Sequence, residues 1–510
     1  MLRTTTTSVP CASPSENDHP LPDFPRMYRA YLDCRRSKRN KPDALAFERN
    51  YEENLITLIE ELRERRYQPS TSTLFYTEKP KLREIFAAAF RDRIVHHLIY
   101  NEISPQWERV FIHHSYACRP NKGTHAAALA LQHFLRQATL NGKRPASFLK
   151  LDIHNFFMTI DRRRLFEMLA ARCHDPDLLW LLRVVVFHDP TADYELRDPR
   201  NLRHRLPPHK SLFNAPPFCG LPIGNLTSQF FANVYLNALD QFVKHHLHGE
   251  FYLRYVDDLG LVHRKTESLE EWQSRIAQFA DEKLGITLNP RATRLGPVSN
   301  GVDFAGFIVR QNYALVRRRV VGNLKAKLRQ ARPQLVRQTP ERRVWRFHPE
   351  TLATCLAAVN SYFGHFQHAQ SRRLIKKLWQ EFSFLRHFFK LAKHKLTRID
   401  QPLRRKSALK QQVRWLQRNF DGQICLIQIG CYYETFGPQA QKLAGVLHLS
   451  LRKNWRGFAL ACGFPQQHWP KMAAQLEKLR MPVVIARQTG RELYHAKERL
   501  PAWMVEYPNV

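Results

Sequence analysis

The sequence predicts an α+β chain of about three units that closes in a small α/β domain. Three observations carry that reading. At 510 residues, and about 150 residues per domain, the length suits about three units. Apolar residues recur at helical spacing before residue 148, collapse into short runs punctuated by Gly and Pro between about 148 and 310, and return to helical spacing from 311 to about 420. Residues 421–510 then mix apolar runs with helical stretches.

Taken in order, residues 1–27 hold Thr4 to Thr7, Ser8-Val9-Pro10, Pro20, Pro22 and Pro25, have little to bury, and are expected to form a flexible leader. From Tyr28 to Arg66 the spacing of Phe47, Tyr51, Leu55, Leu58 and Leu62 predicts helix, which Pro69 ends. A second helical stretch holds Ile94, Leu98 and Ile99. Phe148 to Asp152 reads as an apolar strand ending at an aspartate, followed by a turn and a helix with Phe156 and Phe157. Phe251 to Val262 reads as two strands joined by the acidic tip Asp257-Asp258. Between 371 and 420, fifteen Lys/Arg face only Glu381 and Asp400, and Leu374, Leu378, Phe382, Leu385 and Phe389 form one apolar stripe, which predicts a helical bundle with a positive outer face. In the last segment, apolar runs at Ile424 to Ile429, Phe458 to Cys462 and Val483 to Ala486 alternate with helical patterns opening at Pro438 and around Trp469 to Leu479.

Lys+Arg 80 against Asp+Glu 45 gives a net charge of +35, while 44% hydrophobic and 11% aromatic residues rule out wholesale disorder. Basic residues interleaved with aromatics point to a polyanion such as nucleic acid, with binding that weakens steeply in salt. The alternative is a solubilising charge. No run reaches the ~18 apolar residues of a membrane span, so no membrane partner is expected. The nine cysteines are scattered and lack Cys-x-x-Cys spacing, which suggests reduced thiols. With no apolar secretory core near Met1, the expected compartment is the cytoplasm.

The chemistry gathers in three places. Adjacent carboxylates at Asp257 and Asp258 repel, and a fold tolerates them best where a divalent cation neutralises them; an ordinary Asp-rich turn is the plainer explanation. Asp152, at a strand end, can meet Asp257 across a sheet, and two metal ions held between them could activate an attacking hydroxyl and stabilise a leaving pyrophosphate; its plainer role is a helix N-cap. Between them, Gly220-Leu221-Pro222-Ile223-Gly224-Asn225-Leu226-Thr227-Ser228-Gln229 permits close approach of a nucleotide or template strand, or is a plain loop before a core helix.

In this order, Lys150-Leu151-Asp152 with Phe156-Phe157, Gly220 to Gln229, Tyr255-Val256-Asp257-Asp258, and Leu288-Asn289-Pro290 followed by Gly301-Val302-Asp303-Phe304-Ala305-Gly306 resemble the motifs of reverse transcriptases. With Pro80-Lys81-Leu82-Arg83, Arg91-Asp92-Arg93 and Asn360-Ser361-Tyr362-Phe363-Gly364, the resemblance runs from 28 to about 385. It implies a right-hand polymerase: fingers and a palm with an antiparallel sheet over 28–310, then a basic helical thumb and linker over 311–420. The activity implied is RNA-directed DNA polymerisation, with dNTPs, template RNA and the RNA/cDNA hybrid as partners. Asp152, Asp257 and Asp258 match the catalytic aspartates; Asp152, Ile153, Asp257 and Asp258 would hold two Mg²⁺ ions, or Mn²⁺ in their place. Phe157 matches the aromatic gate that excludes a ribose 2′-hydroxyl, and Arg83 the fingers arginine on the incoming triphosphate, with Lys81 a second candidate. Ile223, Gly224 and Gln229 complete the nucleotide-binding set. Where many members carry a Lys after the Asn-Pro, this chain has Arg291, Ala292 and Thr293, so a proton-donor role for that Lys does not carry over.

Within that family, Ile223-Gly224-Asn225-Leu226-Thr227-Ser228-Gln229, Ser115-Tyr116-Ala117-Cys118-Arg119 and Lys122-Gly123-Thr124-His125 resemble the diversity-generating retroelements, whose enzymes copy RNA inaccurately at adenines to diversify a target gene. That resemblance implies target DNA and a small basic accessory protein as further partners. Ile223 in place of a glutamine would remove hydrogen bonds that hold the nascent pair, or it is a packed apolar residue. Two other readings stay open: a reverse transcriptase of a bacterial defence or retron-like element, and a nucleic-acid-binding protein with a vestigial polymerase.

Residues 421–510, through Ile427-Gln428-Ile429-Gly430-Cys431-Tyr432-Tyr433-Glu434, Gly463-Phe464-Pro465 and Val483 to Gln488, resemble the mismatch-recognition domain of MutS. That family stacks an aromatic ring on a mispaired base and hydrogen-bonds it with a glutamate two residues on; here those positions are Tyr432 and Glu434. The resemblance implies a nucleic-acid-binding module without the MutS ATPase, since the chain has no Gly-x-x-x-x-Gly-Lys-Ser/Thr loop.

Overall fold

A computed structural model describes residues 22–36, 38–78, 81–197, 202–400, 408–493 and 496–507. Most of the expected leader therefore lies outside the described residues. Its end does not stay loose: Phe24–Arg35 is a helix whose N-cap, Asp23, accepts from the Arg26 amide at 2.8 Å, and it buries Met27, Ala30, Tyr31 and Cys34. The helical pattern to Arg66 resolves into this helix, Pro42–Glu48 and Tyr51–Arg63.

The chain forms two compact units, residues 1–305 with 309–312, and residues 306–308 with 313–510. In the first, the helix Phe90–Glu108 packs against Phe24–Arg35 and against the helix Leu226–Gln241. Strands Ser72–Thr77 (β1) and Arg83–Ala87 (β2) pair antiparallel, Thr77 opposite Arg83. The central sheet is built from Ser147–Asp152 (β3), then, past Tyr194–Leu196 (β4), which joins β1, from Phe251–Tyr255 (β5), Asp258–His263 (β6) and Arg294–Pro297 (β7). Its order is β5-β6-β3-β7, and every pairing is antiparallel. Alternation of apolar residues explains the layering: Leu149, Leu151, Leu259 and Leu261 are fully buried in the core with helix Thr266–Leu284. The opposite face carries Lys150, Asp152 and Asp258. Short strands Val302–Phe304 (β8), Phe307–Val309 (β9) and Ala314–Val316 (β10) follow.

In the second unit, helices Arg318–Leu335, Pro349–Phe366 and Arg372–Glu381 and, later, Leu409–Asn419 meet the expected helical character, but 371–420 is not one bundle. Phe389, placed on a helical stripe by its spacing, starts a hairpin of Phe389–Ala392 (β13) and Lys395–Arg398 (β14); the strands before it are Val336–Gln338 (β11) and Arg343–Arg346 (β12). The terminal segment contributes Ile424–Ile429 (β15), Tyr432–Phe436 (β16), Arg452–Trp455 (β17), Phe458–Pro465 (β18), Val483–Leu493 (β19) and Ala496–Glu506 (β20). One eight-stranded sheet runs β11-β12-β20-β19-β15-β16-β18-β17. The boundary expected at 420/421 is therefore bridged: β12 pairs with β20, Arg346 opposite Trp503, so hydrogen bonds join the two segments into one unit. Among the described residues, no helix is long and apolar enough to cross a membrane.

Candidate active site

Register brings the acidic residues together. Asp152 ends β3 directly opposite Asp258, the first residue of β6, and Tyr255 closes β5 against the same Asp258. Val256 and Asp257 are left to make the turn. Val256 adopts φ +57°, a left-handed conformation that costs a β-branched residue roughly 1–3 kcal/mol. Arg254 holds it there. Fully buried, it forks onto Asp240, with Nε 2.9 and 3.0 Å and Nη2 2.7 Å from the carboxylate oxygens, while Nη1 donates to the Val256 carbonyl at 2.9 Å and to Asn233 Oδ1 at 3.1 Å. Tyr252 donates to the same Asp240 at 2.7 Å.

The other side of the site is fixed by the Leu288-Asn289-Pro290 motif. The Asn289 amide donates to the Asp152 carbonyl at 2.7 Å and its side chain to Asp152 Oδ2 at 3.0 Å. Buried Ile153 forms an isolated bridge with Leu288. Lys150 Nζ lies 2.8 Å from Asp258 Oδ1, so that carboxylate has a cation of the chain's own. Asp257 differs: burial, then Asp258, then Asp152 push its carboxyl up to about 6, and Arg83 offsets this only in part. A half-buried carboxyl raised by neighbouring carboxylates fits a divalent cation, which would favour the charged form. Among the described residues no three His, Cys, Asp or Glu side chains make a ready metal cluster, and Asp258 is held by Lys150.

Around this edge, Arg83 is exposed on β2 near enough to act on Asp257, and Lys81 is exposed two residues before it. The alternate residue, Glu84, faces inward and accepts from Ser211 Oγ at 2.9 Å and the Leu212 amide at 2.8 Å, which anchors the strand carrying Arg83. Phe157 and Ile223 both pack against the cluster containing Leu74, Phe86 and Met158. The Phe157 carbonyl accepts from Leu221 at 2.8 Å, and the Ile223 carbonyl from Phe86 at 3.0 Å. Gly224 is exposed at φ +136°, where a Cβ would lie 2.7 Å from the Phe86 carbonyl oxygen. Gln229, exposed on the following helix, accepts from Cys118 Sγ at 3.1 Å. The Ser115 to Arg119 stretch is thereby tied in: the Tyr116 amide donates to the Arg254 carbonyl, and Asn233 Nδ2 to the Ala117 carbonyl at 2.8 Å.

In the second unit, Tyr432 and Glu434 share one face of β16, and Tyr433 turns the other way into the core with Phe464 and Trp469. Tyr432 is half-buried; Glu434 is only 4% exposed. Gly463, opposite Glu434, admits it, since a Cβ there would lie 2.9 Å from the Glu434 Cγ.

The aspartates stand out in the sequence by type and spacing, whereas Arg254, Asp240, Asn233 and the positioning role of Asn289 emerge only from the tertiary contacts. An arginine inside an otherwise apolar strand was the available signal, because a charge is buried only with a partner.

An antiparallel sheet thus presents carboxylates at a strained hairpin. A model of the reverse transcriptase (RNA-dependent DNA polymerase) family matches residues 77–309, and one of MutS domain I matches residues 407–503. The chain thus carries a domain matched by the reverse transcriptase family followed by one matched by MutS domain I. It is 24% identical to protein YkfC of Escherichia coli K12 over 305 residues, 53% of this chain and 75% of that protein. Among solved structures it is similar to apo telomerase from Candida tropicalis, truncated from its C-terminal domain (12% identity, 48% of this chain and 55% of that one, TM-score 0.34). It is likewise similar to telomerase from the same yeast in complex with a TWJ fragment of telomeric RNA (11% identity, 63% and 57%, TM-score 0.35). The chain spans a little over half the length of those two telomerase chains.

Proposed function

We propose that this chain copies an RNA template into cDNA from dNTPs. The observation that carries the reading is the convergence of Asp152 and Asp257 on one sheet edge, with Asp257 raised to about 6 by burial and neighbouring carboxylates, inside a domain matched by the reverse transcriptase family. Asp152 and Asp257 would hold Mg²⁺, with Mn²⁺ as a substitute, beside the backbone of Ile153. When bound, such ions lower the pKa of an attacking 3′-hydroxyl and stabilise the leaving pyrophosphate. The chain's own residues do the rest. Asn289 and Arg254 hold the two carboxylate-bearing segments in place, and Lys150 pairs with Asp258. Arg83, with Lys81 behind it, meets the triphosphate, and Phe157 blocks a ribose 2′-hydroxyl. Gly224 lets the template or nucleotide approach the backbone, and Gln229 borders the same path.

We further propose that copying is error-prone at adenines and serves to diversify a target gene, with a small basic accessory protein and target DNA as partners. Ile223 supports this: it packs on the same apolar cluster as Phe157 and its side chain supplies no hydrogen bond to hold a nascent pair, a loss worth about 1–3 kcal/mol of discrimination. The C-terminal module holds nucleic acid through Tyr432 and its surroundings.

Primer extension on a defined RNA template with Mg²⁺, followed by cDNA sequencing, tests both parts. We expect cDNA that disappears in Asp257→Ala/Asp258→Ala and carries errors opposite adenine. Accurate cDNA would remove the diversification part, and no cDNA with native RNA and partners present would remove the whole.

A further inference from the structure

The hairpin formed by β17 and β18 stands at the open edge of the eight-stranded sheet. Its tip, Arg452-Lys453-Asn454-Trp455-Arg456, places three cations in five residues, all exposed, with Trp455 36% exposed. Asn454 and Arg456 adopt φ +50° and +52°, which gives the tip a defined shape. Two guanidinium groups lie near the Trp455 ring, Arg452 at 4.8 Å and Arg456 at 5.3 Å from its centroid, and Arg452 also reaches Tyr432 at 5.9 Å. The hairpin is rooted in the core, where Phe458 stacks on Phe436 at 4.1 Å.

Beneath it lies Glu434. Its Oε1 accepts from Trp455 Nε1 at 3.3 Å, and its Oε2 sits 3.3 Å from Arg456 Nε, with no hydrogen bond to that oxygen. The crevice among Tyr432, Glu434, Arg452, Trp455 and Gly463 has ≈ 0 Å³ of room for water. A base has no path to the Glu434 carboxylate while the hairpin is in place. The carboxylate instead orients the ring and a guanidinium that face solvent.

We propose that the Arg452 to Arg456 tip is a binding site for single-stranded nucleic acid, in which Trp455 stacks on an unpaired base, Arg452, Lys453 and Arg456 contact its phosphates, and Glu434 is a positioning residue. Charge selects the occupant: the tip offers three cations, and among the described residues the acid it touches, Glu434, is buried. An aromatic ring flanked by guanidinium groups suits unstacked bases and their backbone, and duplex ends or interiors offer it less ring surface. Because the site is remote from the aspartates in sequence and lies in the other unit, it stands or falls separately from polymerisation.

The test uses the full chain and a 5-iodouracil-substituted 12-mer, as single-stranded RNA, as single-stranded DNA and as an RNA–DNA hybrid. Photocrosslinking should label the peptide bearing Trp455 with either single strand, more than with the hybrid, and should persist in Asp257→Ala/Asp258→Ala, where primer extension is lost. Trp455→Leu should lose that crosslink and weaken the site by about 5- to 150-fold. Arg452→Gln/Arg456→Gln, which spares the ring, should lower the slope of log affinity against log salt by about 1.4. Glu434→Gln, which keeps an acceptor for the indole, should retain more binding than Glu434→Ala. Crosslinks confined to residues 28–310, with affinity and salt slope unchanged in the arginine variant, would overturn the proposal and leave the cations as protection of a sheet edge against strand addition. Near-ultraviolet circular dichroism of each variant separates loss of the site from loss of the fold.

Discussion

Arg254 uses every one of its side-chain nitrogens to tie the turn that carries Asp257 to helix Leu226–Gln241: three contacts on Asp240 and one on Asn233, both in that helix, and one on the Val256 carbonyl in the turn. Removing one partner of a buried pair leaves the other charge uncompensated, so Arg254→Ala should cost about 3–5 kcal/mol in chemical denaturation. Arg254→Lys keeps the charge and loses the fork. It should fold, yet need more Mg²⁺ for half-maximal extension; an unchanged Mg²⁺ requirement would show that the turn holds itself. Asp257 gives a pH signature. Its folded value, about 6, lies above the ordinary 3.8, so the metal-free folded chain holds this proton more tightly than the unfolded chain does. The stabilisation is full below about pH 4 and is lost as pH rises through about 6. In chelator, Asp257→Asn should therefore stabilise the protein at pH 7.5, on the order of 2 kcal/mol, and have little effect at pH 4. A melting curve at each pH decides it.

Among the elements, those whose signals are local were legible from sequence. β3 and the β5–β6 hairpin show themselves by alternation and by an acidic tip, and helix Phe90–Glu108 by its spacing, because each is specified within a dozen or so residues. Of the candidate site, the aspartates were legible by type and order, whereas the Arg254–Asp240 pair was not, since it joins a strand to a helix by tertiary contact. Phe389 went to a helix on periodicity and lies in a strand because the ladder to Arg398 claims its backbone. Gly224 makes a test at this scale. With φ +136° and a Cβ 2.7 Å from the Phe86 carbonyl oxygen, Gly224→Ala should pull the Gly220 to Gln229 segment away from β2. We expect extension to fall at least tenfold, through a raised KM for dNTP, while the melting temperature drops by a few degrees; an unchanged KM would mean that the loop is not part of the nucleotide path.

For the molecule as a whole, the +35 charge predicts affinity for RNA that falls steeply between 50 and 200 mM salt, measured by filter binding; six to ten phosphate contacts would lose about 10³–10⁵-fold over that range. The two-unit division predicts where the chain can be cut. A fragment of residues 313–510 keeps β11 and β12 on β20 and should unfold in one transition, whereas 421–510 exposes the β20 edge and should melt lower or associate. The same pairing governs the order of events at the ribosome. Arg346 waits for Trp503, which is made 503 − 346 = 157 residues later, roughly 8–30 s at ordinary elongation rates. Until then β12 has only β11 beside it, so this hairpin is a held place in a sheet whose other six strands come later in the chain.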